Sequence, residues 1–155
     1  MSFSGGCQCG AVRFRVDGEL GRATICHCRM CQKAFGSAFG PLVSVKVAQL
    51  GWTRGEPKRF RSSERILRGF CADCGTPLTY EWSAETIDLA IGAFDEAARI
   101  VPVLQLAANR ALPWVTHIAD LPQPSPEELA RQAPLYSNVR SFQHPDQDTD
   151  GWPDS

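Results

Sequence analysis

Seven cysteines fall in three tight clusters: Cys7-Gln8-Cys9-Gly10, Cys26-His27-Cys28-Arg29-Met30-Cys31 and Cys71-Ala72-Asp73-Cys74-Gly75. Thiolates at these spacings are suited to metal chelation. A tetrahedral zinc ion with Zn–S bonds near 2.3 Å holds its sulfurs about 3.8 Å apart. Cysteines two apart on an extended segment face the same way, and cysteines three apart converge across a tight turn. Free cysteines buried independently in a core have no reason to recur at such intervals. Gly10 and Gly75 each follow a ligand candidate, where a sharp turn is expected and where freed backbone N–H groups can point at the thiolates.

The seven cysteines can be divided between metals in several ways. Cys26, Cys28 and Cys31 are local enough to chelate one ion together. Cys7, Cys9, Cys71 and Cys74 then close a second site that stitches the N-terminus to a later hairpin, so two zinc ions per chain are expected. Four thiolates leave no vacancy and hold structure. Three leave an open position at which a thiol can enter and lose its proton. An electron-rich trithiolate is a poor Lewis acid, so thiol binding suits it better than hydrolysis. His27, between two ligand candidates, is expected to turn its ring away from the metal and to pack or support, while His117 reads as a hydrogen-bonded structural residue. His27 and Asp73 are conceivable proton donors. The basic run Arg54, Lys58, Arg59, Arg61, Arg65 and Arg68, with Arg29 and Lys33, is either a solvated face or a cradle for carboxylates.

The elements that must position these groups read as short strands. Alternation of apolar and polar residues marks Ala11 to Val16 and Pro41 to Val47. Further strands are expected over Lys58 to Arg61, Ile66 to Phe70, Pro77 to Trp82, Thr86 to Ile91 and Val101 to Ala107, separated by Gly, Pro, Ser and Asp clusters. Helical pieces are brief: just after Cys31, around Asp95 to Ala98, and from Pro126, where Ser125 and Glu128 form a capping box with proline at the first helical position. The fold class is therefore mainly β, with short antiparallel strands organised around the zinc sites and a short C-terminal helix. Residues 1–122 are expected to form the metal-binding domain and 123–155 an extension. Its polar, proline-rich end from His144 is expected to fray or dock only loosely.

With 155 residues, 43% hydrophobic and 21% charged, the chain has the composition of a soluble globular protein of about one domain. A formal net charge of -1 offers no general attraction to phosphate backbones, so nucleic acid is not an expected partner. No apolar run is long enough to span a bilayer, and the N-terminus lacks a secretory pattern, so a cytoplasmic setting is expected. There, clustered cysteines are more often metal ligands than disulfides.

The ordered motifs Gly5-Gly-Cys-Gln-Cys-Gly10, Cys26-His-Cys-Arg-Met-Cys31, Gly69-Phe-Cys-Ala-Asp-Cys-Gly-Thr-Pro-Leu78, Ala90-Ile-Gly-Ala-Phe94 and Leu112-Pro-Trp114 carry a resemblance. The chain resembles the glutathione-dependent formaldehyde-activating enzyme family, which includes centromere protein V. The resemblance implies a β-tent fold, a structural zinc on Cys7, Cys9, Cys71 and Cys74, and a catalytic zinc on Cys26, Cys28 and Cys31. It also implies carbon–sulfur lyase chemistry that joins glutathione to formaldehyde as S-hydroxymethylglutathione or splits that adduct, with a small thiol and a small aldehyde as partners. Many members carry a histidine and an aromatic residue before Leu-Pro-Trp, where this chain has Gln105, Ala107, Asn109 and Arg110. The competing expectations are a lyase or transferase acting on another thiol conjugate, and a non-catalytic zinc-scaffolded binding module.

Overall fold

A computed structural model describes residues 1–150. The chain is mainly β, in two sheets. The smaller has the order β1-β2-β5, formed by Ser2–Gly6, Arg13–Asp17 and Leu50–Arg54. The larger has the order β10-β3-β4-β9-β8-β7-β6. Its strands are β3 (Ala23–Cys26), β4 (Gly40–Lys46), β6 (Lys58–Arg61), β7 (Leu67–Phe70), β8 (Pro77–Glu81), β9 (Thr86–Ala90) and β10 (Leu104–Leu106). Neighbours are antiparallel except β10, which lies parallel to β3.

Alternation along the strands separates two faces of the large sheet. Val43, Val45, Ile87 and Leu89 point to one side and join a core shared with Phe14 and Val16 of the small sheet. Phe14 is fully buried and meets the rings of Phe94 and Trp52 edge on, at centroid distances of 5.0 and 6.0 Å. On the opposite face the register aligns Ser44, Asp88, Tyr80 and Arg68 in one row across β4, β9, β8 and β7. The same pleat places Cys26, opposite Gly40, on that second face. Helix α1 (Arg29–Phe35) packs on β4, and Gly40 makes room: a Cβ there would stand 2.9 Å from the Phe35 ring and 3.1 Å from the Cys31 Cβ.

Strands β2, β4, β7, β8 and β9 fall within a residue or two of where alternation places them, and β6 matches at both ends. Three strands left no clear pattern: β1, β3 and β5. The expected strand over Val101 to Ala107 forms only at Leu104–Leu106, an exposed edge. Asp95 to Ala98 gives a single 3₁₀ turn, Ala97–Arg99, and a longer 3₁₀ segment, Pro113–Asp120, was not anticipated. Helix α2 (Pro126–Tyr136) begins as its capping box requires, with Ser125 Oγ accepting from Glu128 N and the Glu128 carboxylate accepting from Ser125 N.

Composition gives no sign that residues 144–149 pack firmly, yet they lie against the first cysteine turn. His144 is 1% exposed, and its backbone N–H donates to Gln8 O at 2.7 Å. Arg54 donates to His144 Nε2, so the ring proton sits on Nδ1 and is given to Pro145 O at 2.8 Å. Arg54 also reaches Gly10 O and Thr149 O. Asp148 pairs with Arg13, which in turn holds Asp95 through two bonds of 2.8 and 2.6 Å. Paired charges and a buried ring, rather than apolar mass, dock this stretch, while most of its other residues stay exposed. Residues 151–155, which the expectation of a frayed or loosely docked end also covered, lie outside the described residues.

Candidate metal centres

The fold brings the seven cysteines into two groups, each with all its sulfurs within 4.8 Å of one another. Cys7, Cys9, Cys71 and Cys74 form one; Cys26, Cys28 and Cys31 form the other. All seven are free thiols. This is the partition expected from spacing.

Two turns build the four-cysteine group. In the first, Gly10 N donates to Cys7 O, and in the second, Gly75 N donates to Cys71 O, with φ of 77° and 79° at the two glycines. Both turns need the left-handed backbone that glycine adopts freely. The glycine N–H groups serve the turn carbonyls and not the sulfurs, contrary to expectation. The donors to sulfur come from elsewhere: Val12 N reaches Cys7 Sγ at 3.2 Å, and the Thr76 hydroxyl lies 3.1 Å from Cys74 Sγ. Cys7 and Cys9 sulfurs are 3.7 Å apart and Cys9 and Cys71 sulfurs 3.8 Å apart. These two separations match the edge expected of a sulfur tetrahedron around zinc.

Burial, with the neighbouring thiols, pushes Cys7 up to about 11 and raises Cys9 further. Burial would raise Cys74 too, but hydrogen bonds from Thr76 and the Cys9 backbone overcome it and bring that thiol to about 6. Packed sulfurs of this kind cannot all ionise beside one another without a cation among them. The donor set and its spacing therefore fit zinc.

The three-cysteine group is assembled from the end of β3 and the start of α1. Cys28 is the N-cap of α1, and its sulfur accepts from Cys31 N at 3.4 Å. Burial leads the causes that push Cys26 up to about 12; a bond from the Cys28 backbone pulls it back, and the Cys28 and Cys31 thiols add to the rise. Burial opposes ionisation of Cys28 as well, but bonds from the Cys31 and Met30 backbone and from the adjacent thiols lower it below its ordinary value. These three donors also fit zinc, and among the described residues no histidine or carboxylate joins them as a fourth.

His27 turns away from the sulfurs. It is 1% exposed, shares a 2.9 Å bond between Nε2 and Gln105 Oε1, and meets the Phe39 ring edge on. Gln32 of α1 adds a bond from its side-chain amide to His27 O. Gln105, set apart in the sequence as a departure from the family pattern, thus fixes the loop that carries the ligand candidates. Asp73 lies exposed in the Cys71–Cys74 turn, at the other cluster, and does not serve the three-cysteine group. His117 is exposed, with Nδ1 3.3 Å from Asp120.

The basic run does not form one cradle. Arg54 binds the C-terminal segment, Arg59 pairs with Glu81 at 2.8 Å, and Arg61 donates to Glu64 O. Arg68 alone reaches the three-cysteine group: its Nη2 lies 3.3 Å from Cys31 Sγ. Tyr80 lies beneath the Arg68 guanidinium, 4.8 Å from ring centroid to Cζ. Burial raises the Tyr80 phenol, Arg68 pulls it back, and Cys31, Asp88 and Cys26 reinforce the rise. Neither residue stands out in the sequence as a member of this site, because only the register of β7 on β8 brings them under α1.

The crystal structure of a Rhodobacter sphaeroides protein is similar to this one at a TM-score of 0.54 and 19% identity, covering 66% of this chain and 98% of that one. At that identity the likeness concerns the fold. No curated protein matches the chain. The family model described as glutathione-dependent formaldehyde-activating enzyme matches residues 2–109, a span that contains both cysteine groups and every strand of the two sheets. The chain belongs to the glutathione-dependent formaldehyde-activating enzyme family.

Proposed function

We propose that the chain is a zinc-dependent carbon–sulfur lyase acting on adducts of glutathione and a small aldehyde, in the manner of an S-hydroxymethylglutathione synthase. The observation that carries this reading is the inequality of the two cysteine groups, one with four sulfurs and one with three. A zinc ion held by Cys26, Cys28 and Cys31 would supply one open coordination position and lower the proton affinity of a thiol entering it. The four-cysteine group has no such opening and serves the fold.

Addition forms one bond from the glutathione sulfur to the aldehyde carbon. The thiol proton leaves, and the former carbonyl oxygen takes a proton, so the product is the neutral hydroxymethyl thioether. Splitting runs the same exchange backwards. Cys26 and Cys28 hold their positions through the strand end and the helix cap, and His27 and Gln105 hold the loop between them. Tyr80 lies beneath the guanidinium that reaches Cys31, and its hydroxyl is a protic group next to that contact. Two-dimensional NMR with carbon-labelled formaldehyde measures interconversion of the free aldehyde and the glutathione adduct directly. The purified chain should speed that exchange and Cys31→Ser should abolish it while keeping the fold. Equal exchange in the parent and in Cys31→Ser would remove the lyase reading and leave a zinc scaffold.

A further inference from the structure

Arg68 is 3% exposed, a rare position for a guanidinium, which cannot shed its charge to ease burial. Such a group needs hydrogen bonds and a counter-charge. Its Nε donates to Ser62 Oγ at 3.0 Å, and its plane rests on Tyr80. No carboxylate pairs with it among the described residues. Asp88, in the same cross-strand row, stands two strands away, about 10 Å at ordinary strand spacing, and its carboxylate accepts from Ser44 Oγ at 2.6 Å. The group of the three-cysteine site that Arg68 reaches is the Cys31 sulfur, 3.3 Å from Nη2, which would supply the counter-charge as a metal-bound thiolate.

We infer that Arg68 is a positioning residue of the three-cysteine site that also sets its charge preference: it holds Cys31 and favours an anionic sulfur as the fourth ligand over a neutral one. The inference rests on the proposal that this group holds a metal with an open position. Three thiolates around a divalent ion carry a net charge of about −1, and an entering thiolate would double it. Cys31 is buried while Cys26 and Cys28 are half-buried, so a second negative charge is incompletely solvated there, and a guanidinium within bonding distance of one ligand offsets it. A neutral ligand draws no such benefit. The position of Arg68 is also well enforced, because β7 pairs with β8 on one side and β6 on the other, and Ser62 fixes the guanidinium from the connecting turn.

The test uses the full chain with cobalt(II) in place of zinc, since the visible bands of cobalt report its fourth ligand apart from any turnover. The unmodified protein is titrated with 2-mercaptoethanol and, separately, with imidazole. It should take the thiol in preference to imidazole. Arg68→Gln should weaken thiol binding by about tenfold or more and leave imidazole within about twofold, as a lost charge interaction at this range requires. Arg68→Lys should restore part of the thiol affinity. Unchanged thiol affinity in Arg68→Gln, or an equal loss for thiol and imidazole, would overturn the inference. So would an unmodified protein that prefers imidazole, a result that stands even where Arg68→Gln fails to fold. The lyase reading fails separately: a site with this selectivity that does not exchange formaldehyde with glutathione keeps Arg68 in its role and removes the reaction.

Discussion

The His144 ring fills the space beside Gly10 that a side chain at position 10 would have to enter. Gly10 also has a φ of 77°, so Gly10→Ala meets both a strained backbone and a steric block. The expected cost is about 1–3 kcal/mol for the backbone alone. His144→Ala should relieve the block without curing the strain, so the double variant should be more stable than the sum of the single losses. Urea unfolding of all four proteins measures this coupling. Strict additivity would mean that the C-terminal segment does not pack on the cysteine turn in solution.

Asp95 anchors Arg13 from inside the protein, with side-chain exposures of 6% and 4%. Burial would raise the Asp95 carboxyl, but the two bonds from Arg13 and the one from the Ser4 hydroxyl outweigh it and hold it below the usual carboxylate range. A depressed folded pKa gives stability that is full above the unfolded value, about 3.9, and drains away as pH falls through the lower folded value. Asp95→Asn should therefore lose about 1–3 kcal/mol at neutral pH, because Arg13 keeps its pair with Asp148 but loses the buried carboxylate. The deficit should shrink in strong acid. A variant as stable as the parent at neutral pH, by denaturant melts, would contradict this.

The two cysteine groups should respond differently to loss of a ligand. Cys71→Ser opens the closed group and should cost much of the folding free energy, since binding at such a site is on the order of ten kcal/mol of folding energy. Cys31→Ser should lower the thermal midpoint clearly less, by no more than the loss of the sulfur that Arg68 faces. Calorimetry of both variants, with zinc measured in the same samples, checks the contrast. Equal destabilisation would make both groups structural.

With metal stripped, thiols this close invite oxidation. Cys28, whose ionisation is eased by the Cys31 and Met30 backbone donors, is the expected attacking sulfur, with Cys26 or Cys31 as its partner. Thiol counting after exposure to air should show one disulfide within this group, located by peptide mapping. A count that returns all seven thiols free would contradict it.

The two cysteine groups were legible in the sequence because the spacing within each pair is a local property: Cys7 with Cys9, and Cys71 with Cys74, already face one another before any fold is known. Strands with one buried face, such as β4 and β9, were legible for the same reason. Strand β1, Ser2–Gly6, was not, because Gly5 and Gly6 carry no pattern and pair only through the register of β2. A Cβ on Gly5 would run into Phe14 and the Ala93 backbone, a constraint that exists only in the assembled core. Arg68 shows the limit most clearly. In the sequence it is one of a run of basic residues, and only the pairing of Arg68 with Tyr80 across β7 and β8 turns it from solvent toward Cys31. The contacts of the tail were not legible because they come from His144 and Asp148, single polar residues whose partners lie far away in sequence.

The most direct measurement is the zinc content of the full chain, purified under reducing conditions without added metal, by elemental analysis alongside Cys31→Ser. Two zinc ions per chain in the parent, falling to one in Cys31→Ser with the fold retained, is the result the two sulfur groups require. Protein that is folded and free of zinc would contradict the account.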